Sequence, residues 1–216
     1  YPGDIFENSI EAFVATVRHS PVPVTVVTVG PAPTLAKAVS QYPDVARKCR
    51  FIGMFGSIRI GYGGAPEPAP EYNVYHNVEA LRALFAADWA DLVLTPLDTC
   101  GLITLTGDAY AAVRDSADPQ AEIIMANYRD WLPRVNWMPD DHDIDSQSST
   151  LFDTLAVDLA FDESTVGIET LPIAITDDGQ TVIDDDKGRP VRCATSWKDY
   201  AAFEQRLVQR LTASGG

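Results

Sequence analysis

The chain has 216 residues, of which 46% are hydrophobic, and 16 Lys and Arg against 31 Asp and Glu give a net charge of −15. This length and composition predict one compact domain over residues 1–216 with a substantial core. The negative charge argues against nucleic acid and anionic membranes as partners, and no apolar run is long enough to span a bilayer.

The first half of the chain alternates between helix and strand signals. Asn8 begins a helix, and Val24–Val29 is a β-branched run typical of a central parallel strand that is covered on both faces. A helix over 34–42 and two further strands, Phe51–Phe55 and Asp91–Leu97, follow. This alternation predicts a three-layer α/β fold, in which an open, mainly parallel sheet has helices on both faces.

The second half combines helices, a loop and a hairpin. Two helices are expected over 107–132, then a loop over 135–150 and a helix over 152–160. The second helix of the first pair is expected to bury Ile123, Ile124, Tyr128 and Trp131. Alternating segments around Asp177-Asp178-Gly179 predict a β-hairpin, and Trp197–Thr212 is expected to be the last helix.

A long loop rich in glycine and proline follows the strand Phe51–Phe55. It begins at Gly56 and ends in Glu71-Tyr72-Asn73, shortly before a helix that begins at Asn77. Open α/β sheets carry their ligand sites on such loops at the carboxyl ends of strands. An acid and an amide two residues apart point the same way from an extended segment, which suits binding of a diol. The alternative is an ordinary surface loop.

Four segments that occur in the same order along the chain resemble a known family. They are Gly30–Ala36 (GPAPTLA), Met54–Gly56 with Glu71–Ala80 (MFG and EYNVYHNVEA), Leu94–Thr99 (LTPLDT) and Leu151–Ala156 (LFDTLA). They are similar to G-P-L-T-N-L-A, M-G-G with E-F-N-x-x-x-D-P-E-A-A, V-P-L-D-V-T and x-H-D-P-L-A of the inosine-uridine preferring nucleoside hydrolases. The resemblance implies an α/β enzyme that cleaves the N-glycosidic bond of ribonucleosides with a Ca²⁺-bound water.

The same motifs imply roles for individual residues. By position, Met54, Glu71 and Asn73 correspond to residues that bind the ribose. Asp153 and the backbone carbonyl of Pro33 correspond to calcium ligands, and calcium prefers such oxygen donors. Two alternatives remain: Met54 as a plain core methionine, and Asp153 as an acid that interacts with a helix dipole.

The chain also departs from the family pattern. The family's D-T-D-x-G-x-D-D motif, which supplies most calcium carboxylates and the general base, has no counterpart. We therefore expect an N-terminally incomplete family domain without its general base, and a sheet with an exposed edge or an unfilled core. Phe152 stands where a histidine protonates some leaving bases, and Ala65 where an asparagine is usual.

With Phe152 in the place of that histidine, the nearest candidate in sequence for the acid that protonates the leaving base is His142. Its loop could close over a bound nucleoside and bring the imidazole to the base. The alternative is a solvated loop histidine among Asp140, Asp141 and Asp143.

Cys49, Cys100 and Cys193 are widely spaced, which indicates buried or free thiols in a reducing compartment and hence a cytoplasmic location. Three functions stay open. The first is a nucleoside hydrolase, and the second is a non-catalytic nucleoside- or sugar-binding relative that has lost the metal site. The third is a structural or dimerising α/β domain without a ligand. Glu71, Asn73 and Asp153 favour the first two, and a homo-oligomer is compatible with all three.

Overall fold

The computed structural model describes residues 2–3, 5–139 and 142–213. Its helices are α1 (Ser9–His19), α2 (Pro33–Gln41), α3 (Tyr72–Tyr75), α4 (Val78–Ala86), α5 (Leu97–Cys100), α6 (Gly107–Arg114), α7 (Pro119–Trp131), α8 (Thr154–Asp158) and α9 (Tyr200–Thr212). Its strands are β1 (Val24–Thr28), β2 (Cys49–Gly53), β3 (Asp91–Leu94), β4 (Val166–Ile175), β5 (Thr181–Ile183) and β6 (Arg189–Trp197). No helix in these ranges is both long and apolar enough to cross a membrane.

The described residues divide into two compact units. The first consists of the residues up to Leu102 together with Phe152–Trp197, and it contains the whole sheet. The second consists of Ile103–Leu151 and the residues from Lys198 onward, and it contains α6, α7 and α9.

The sheet of the first unit has six strands in the order β1-β2-β3-β6-β4-β5. The neighbours β1, β2, β3 and β6 are parallel, whereas β4 runs antiparallel to both β6 and β5. The predicted hairpin is confirmed as β4 and β5, and Gly179 adopts a φ of +81° in its turn. Since parallel strands place their carboxyl ends at the same edge, the loops after β1, β2 and β3 emerge side by side.

The middle of the sheet is buried on both faces. Phe51 and Ile52 in β2 are fully buried, as are Val93 and Leu94 in β3. Successive residues of a strand point to opposite faces, so protein covers both faces of these strands. The apolar runs that predicted buried parallel strands here are therefore confirmed.

The prediction that Val24–Val29 forms a central strand covered on both faces is wrong. Within the described residues β1 pairs only with β2, and most of its side chains are partly exposed. A β-branched run fits a strand wherever that strand lies in a sheet, so the residue types could not distinguish the middle from the edge.

The second unit has a small core of its own. Leu105, Tyr110, Val113, Ala121 and Met125 are buried in it. The prediction for α7 is wrong in part, because Ile123 is 63% exposed and Trp131 is 36% exposed. The helix buries Ala121 and Met125, with Tyr128 packed against the same core, and it exposes the face that carries Ile123.

Four charged side chains of the first unit form a closed network. Arg50 in β2 contacts both Asp91 and Glu163, and Arg192 in β6 contacts the same two acids. The Arg192 contacts measure 2.7 Å to Asp91 and 2.6 Å to Glu163. All four side chains are only 25–35% exposed, so solvent screens these pairs less than a surface pair.

Replacing Arg192 with methionine is therefore expected to lower the free energy of unfolding by about 1–3 kcal/mol, measured by urea denaturation. The change leaves two partly buried acids with a single cation. Arg47→Met is the matched control, since the Arg47–Asp88 pair is 73% exposed on both sides and its loss is expected to cost less than about 1 kcal/mol. Equal losses in the two variants would contradict a special role for the network.

Candidate functional site

The candidate site lies at the carboxyl ends of β1, β2 and β3. Met54 follows β2 directly, and its backbone N–H donates a hydrogen bond of 2.9 Å to the carbonyl of Thr28 at the end of β1. On the other side, the Thr95 N–H donates a bond of 2.9 Å to the Gly53 carbonyl. These bonds continue the parallel ladder past the strands and fix the start of the loop. The Met54 side chain is buried.

Glu71 is a buried carboxylate that joins the two ends of this loop. Its Oε2 accepts hydrogen bonds of 3.2 Å from the N–H groups of Gly56 and Val74, and its Oε1 accepts one of 2.8 Å from Asn73. It thus caps the N-terminus of α3. The expectation of an extended segment is wrong here, because Asn73 lies in the first turn of a short helix.

Asn73 connects the helix to Met54. Its Nδ2 donates a hydrogen bond of 3.1 Å to the Met54 carbonyl and lies 3.2 Å from the Met54 Sδ. Its Oδ1 receives no hydrogen bond from the part of the chain that the structure describes. The amide is nearly buried, yet one acceptor remains for the hydroxyl of a ligand.

Asp153 is close enough to Glu71 to act on it electrostatically. It occupies the N-cap position of α8, which packs against β1 and β2, but its side chain makes no capping hydrogen bond. Desolvation raises the pKa of Glu71, and the negative charge of Asp153 raises it further. Although Asp153 is exposed, the protein atoms around its carboxyl raise the pKa of Asp153 as well.

Pro33 lies at the same edge of the sheet, as the first residue of α2 after β1. It lines a groove of about 330 Å³ with Ser9, Phe13 and Val26. None of the other candidate residues lines this groove. The structure therefore brings Met54, Glu71, Asn73 and Asp153 together, whereas within the described part of the chain no hydrogen bond connects Pro33 with them.

Asp98 is a site residue that the sequence reasoning missed. It is buried at the start of α5, and its two oxygens accept hydrogen bonds of 2.9 Å from the N–H groups of Ile58 and Arg59. It thereby holds the loop just beyond Gly56. The available signal was an acid between the apolar residues Leu97 and Cys100, directly after the strand signal, because a carboxylate that is buried there needs partners.

The described residues do not fit a complete calcium site. Outside the gaps at residues 1, 4, 140–141 and 214–216, no group of three or more His, Cys, Asp or Glu side chains is arranged to hold a metal ion. The Glu71 oxygens already accept three backbone hydrogen bonds. Calcium usually takes roughly 6–8 oxygen ligands, so Asp153 and the Pro33 carbonyl could supply only a minority. Their role as ligands stays a prediction.

His142 lies in the second unit. Its Nε2 is 2.5 Å from the Tyr128 hydroxyl oxygen, and its Nδ1 is 3.4 Å from the side-chain amide nitrogen of Gln147. Asp140 and Asp141, the acids expected beside it, lie outside the described residues. Its role as an acid stays a prediction.

The three cysteines are buried free thiols, as expected. Burial raises the pKa of Cys49, Cys100 and Cys193, in the last case to about 12. A reactive thiolate is therefore not favoured at any of them.

The electrostatic coupling in the site can be tested through Glu71. We expect Asp153→Asn to lower the pKa of the Glu71 carboxyl, measured by carbon-detected NMR titration, because the substitution removes a neighbouring negative charge. Asp158→Asn, at the other end of α8, is the control and should shift this pKa less. An unchanged Glu71 pKa in Asp153→Asn would contradict the proximity of the two acids.

The raised pKa of Glu71 should also make the free energy of unfolding depend on pH. The folded-state pKa of Glu71 lies above its ordinary value of 4.5, so the folded chain binds this proton more tightly than the unfolded chain. The contribution is fully present below pH 4.5 and is lost as the pH rises through the raised value. We expect Asp153→Asn to flatten this decline in the free energy of unfolding, whereas a steeper decline would contradict the assignment.

The fold is a mainly parallel α/β sheet, and the carboxyl edge where Glu71 and Asn73 lie is the place where open α/β sheets carry their ligand sites. The model of a family described as inosine-uridine preferring nucleoside hydrolase matches residues 5–205. The chain belongs to this family.

Known relatives are considerably longer than the matched region. The pyrimidine-specific ribonucleoside hydrolase RihA of Citrobacter koseri is 28% identical over 117 residues, which are 54% of this chain and 36% of that protein. The probable uridine nucleosidase 1 of Oryza sativa subsp. japonica is 27% identical over 128 residues, which are 58% of this chain and 39% of that protein. The chain thus aligns with less than half the length of these relatives.

Solved structures share the fold. A purine-preferring ribonucleoside hydrolase from Gardnerella vaginalis has a TM-score of 0.75 at 18% identity, with 98% of this chain and 67% of that chain covered. A plant nucleoside hydrolase has a TM-score of 0.75 at 19% identity, with 98% and 70% covered. At this identity the likeness establishes the α/β fold alone.

Proposed function

We propose that the chain binds ribonucleosides and takes part in hydrolysis of their N-glycosidic bond to ribose and free base. The observation that carries this proposal is the bonded set of Met54, Glu71 and Asn73 at the carboxyl end of β2, with Asp153 within electrostatic range. Membership in the family supports the same activity.

The ribose is bound by hydrogen bonds to its hydroxyl groups. Glu71 and Asn73 each offer an acceptor oxygen on a side chain that is already held by a hydrogen bond to the backbone, through the Glu71 carboxylate and the Asn73 Nδ2, so little side-chain entropy is lost on binding. Cleavage of an N-glycosidic bond passes through a transition state that resembles an oxocarbenium ion. The negative charges of Glu71 and Asp153 would stabilise the positive charge that develops on the sugar.

Calcium remains a proposal for the complete family site. The described residues do not make up a calcium site, so water or protein oxygens from elsewhere would have to supply most ligands. We also propose that the general base is not among these 216 residues, because nothing in them resembles the family's aspartate motif.

The second candidate function is a nucleoside- or sugar-binding protein without catalysis. It is favoured by the use of both Glu71 oxygens for backbone hydrogen bonds, which hold the loop whether or not a reaction occurs. Binding of nucleosides without release of the base would identify this alternative.

The experiment that tests the proposal measures binding of uridine, 2′-deoxyuridine and 3′-deoxyuridine to the purified chain by ligand-observed NMR, with and without calcium. Uridine should bind, and each deoxy form should bind roughly tenfold more weakly, because one hydrogen bond to the site is lost. Asn73→Ala should remove this discrimination.

Asn127→Ala, an exposed position of α7, is the matched control and should leave binding unchanged. Equal binding of uridine and both deoxy forms, or no binding of uridine, would refute the proposed ribose site.

A further inference from the structure

The hairpin of β4 and β5 packs directly against the loop that follows β2. Thr181, the first residue of β5, lies over Gly56 in this loop. A Cβ added at Gly56 would be 2.7 Å from the Thr181 Oγ1 and 3.0 Å from its Cγ2, so the Thr181 side chain is in close contact with the Gly56 backbone. Only glycine fits beneath this side chain without a shift of the neighbouring atoms.

The same hairpin also contacts the short helix α3. A Cβ added at Gly179, in the turn of the hairpin, would be 2.8 Å from the Tyr75 Cα and 3.2 Å from the Tyr75 Cβ, and Tyr75 is the last residue of α3. Arg82 of α4 donates hydrogen bonds of 2.8 Å and 3.1 Å to the backbone carbonyl of Ile175 at the end of β4. The hairpin is therefore attached to the two successive helices that follow Glu71.

Through these contacts the hairpin reaches the backbone donors that hold the Glu71 carboxylate. Gly56 donates its N–H to the Glu71 Oε2 at 3.2 Å, and the N–H groups of Asn73 and Val74 in α3 donate to the same carboxylate. Thr181 contacts the first of these donors, and the hairpin turn contacts the helix that carries the other two. All of these residues belong to the first unit.

Gly56 is the donor whose position depends most on its neighbours. It has a φ of +88°, which glycine adopts readily, and it has no side chain of its own that could pack. Its hydrogen bond of 3.2 Å to Glu71 lies at the long end of the usual range of roughly 2.7–3.2 Å, so a small outward shift would weaken it.

The Thr181 hydroxyl does not explain why a threonine occupies this position. The residue is 2% exposed, and within the described residues its Oγ1 has no hydrogen-bond partner. A buried polar atom without a partner is unfavourable, so the hydroxyl contributes nothing through hydrogen bonding. The shape of the side chain does explain it, because the β-branched group places two heavy atoms against Gly56.

We propose that Thr181 is a positioning residue, which holds Gly56 where its N–H meets the Glu71 carboxylate, and that the β4–β5 hairpin in this way sets the geometry of Glu71 and Asn73. Thr181 acts through Gly56 and not by contact with a ligand. Side chains that bind a ligand need to be held within about 0.5 Å of their productive positions, and the residues behind them supply this precision. The inference rests on the proposed function, since it assigns a support to the site at which Glu71 and Asn73 bind ribose.

The test separates the shape of residue 181 from its hydroxyl. Binding of uridine and 2′-deoxyuridine is measured by ligand-observed NMR for the wild type, Thr181→Ala and Thr181→Val, and hydrogen exchange of the Gly56 amide is measured without ligand. Thr181→Ala removes both contacting atoms. Uridine binding should therefore weaken roughly 3- to 10-fold, its discrimination from 2′-deoxyuridine should shrink, and the Gly56 amide should exchange faster.

Thr181→Val keeps the shape of the side chain, so it should retain most of the binding and the slow exchange of Gly56. If Thr181→Ala does not fold, Thr181→Ser replaces it in the comparison. This variant removes only the Cγ2 contact, and its expected loss of uridine binding is roughly 2- to 3-fold.

Thr165→Ala is the matched control. Thr165, in the turn before β4, is also 2% exposed, and its Oγ1 likewise has no partner within the described part of the chain. The substitution should lower the free energy of unfolding by a similar amount, but it should leave uridine binding and the exchange of Gly56 unchanged.

Equal weakening of uridine binding in Thr181→Ala and Thr165→Ala would assign Thr181 a general structural role and overturn the inference. A loss in Thr181→Val as large as that in Thr181→Ala would also overturn it, because the shape would then not be what matters. Unchanged binding and exchange in Thr181→Ala would overturn it while leaving the proposed function in place. Failure of the wild type to bind uridine would refute the proposed function, and the exchange of Gly56 would still show whether Thr181 holds this residue.

Discussion

On uridine, the purified 216-residue chain is expected to release uracil roughly 10²–10⁴-fold more slowly than the Citrobacter koseri ribonucleoside hydrolase assayed beside it. The factor is the usual contribution of a positioned general base, which we propose that this chain lacks. Glu71 cannot readily replace it, because its carboxylate is buried and accepts hydrogen bonds from Gly56, Asn73 and Val74. Asp153 alone would have to act on an unpositioned water.

The assay follows uracil by chromatography at high protein concentration. Asn73→Ala, prepared in the same way, shows whether any release comes from this site or from a contaminating enzyme. A rate comparable to that of the relative would show that a base within these residues has been overlooked. Calcium should not restore a comparable rate, because Asp153 and the Pro33 carbonyl are too few to hold it.

Gly56→Ala is expected to lower the free energy of unfolding by about 2–4 kcal/mol, measured by urea denaturation. Gly56 has a φ of +88°, which is costly for a residue with a side chain. An added Cβ would also lie 2.7 Å from the Thr181 Oγ1 and 3.0 Å from its Cγ2. Because Thr181 is buried in β5, its side chain has little room to move away.

Gly63→Ala is the matched control for this effect. Gly63 has a φ of +63°, but among the described residues no atom beyond Gly63 and its two chain neighbours lies within 4 Å of an added Cβ, so only the backbone cost of about 1–2 kcal/mol is expected. Introducing Gly56→Ala into a Thr181→Ala background should recover part of the loss. Equal losses at the two glycines, or no recovery in the double variant, would show that the close approach to Thr181 is unimportant.

Much of the fold could be predicted from the sequence because its signals are local. The apolar runs around Phe51 and Leu92 are short, bounded by turn residues and separated by helical periodicity, which is enough to place parallel strands. Asn8 and Asn77 were identified as helix caps because capping requires only the next turn of the chain.

What could not be predicted depends on contacts between distant segments. Whether Val24–Val29 lies in the middle or at the edge of the sheet is decided by neighbouring strands, not by its own residues. The hydrogen bonds from Ile58 and Arg59 to Asp98 join residues about 40 positions apart, and such contacts produce no periodic pattern in the sequence.

The motifs predicted which residues belong to the candidate site, but they did not predict its local geometry. The spacing of Glu71 and Asn73 fits an extended segment as well as the start of a helix. The helix forms here because three backbone N–H groups donate hydrogen bonds to the Glu71 carboxylate.

The account depends most on one claim, that Glu71 and Asn73 contact the ribose of a bound nucleoside. Nitrogen-edited NMR spectra of the chain during a titration with uridine test it most directly. We expect the side-chain amide signals of Asn73 and the backbone amides of Gly56 and Val74, which donate to Glu71, to shift most. The same signals should shift less with 2′-deoxyuridine. Shifts confined to other parts of the chain, or equal shifts with both ligands, would contradict the claim.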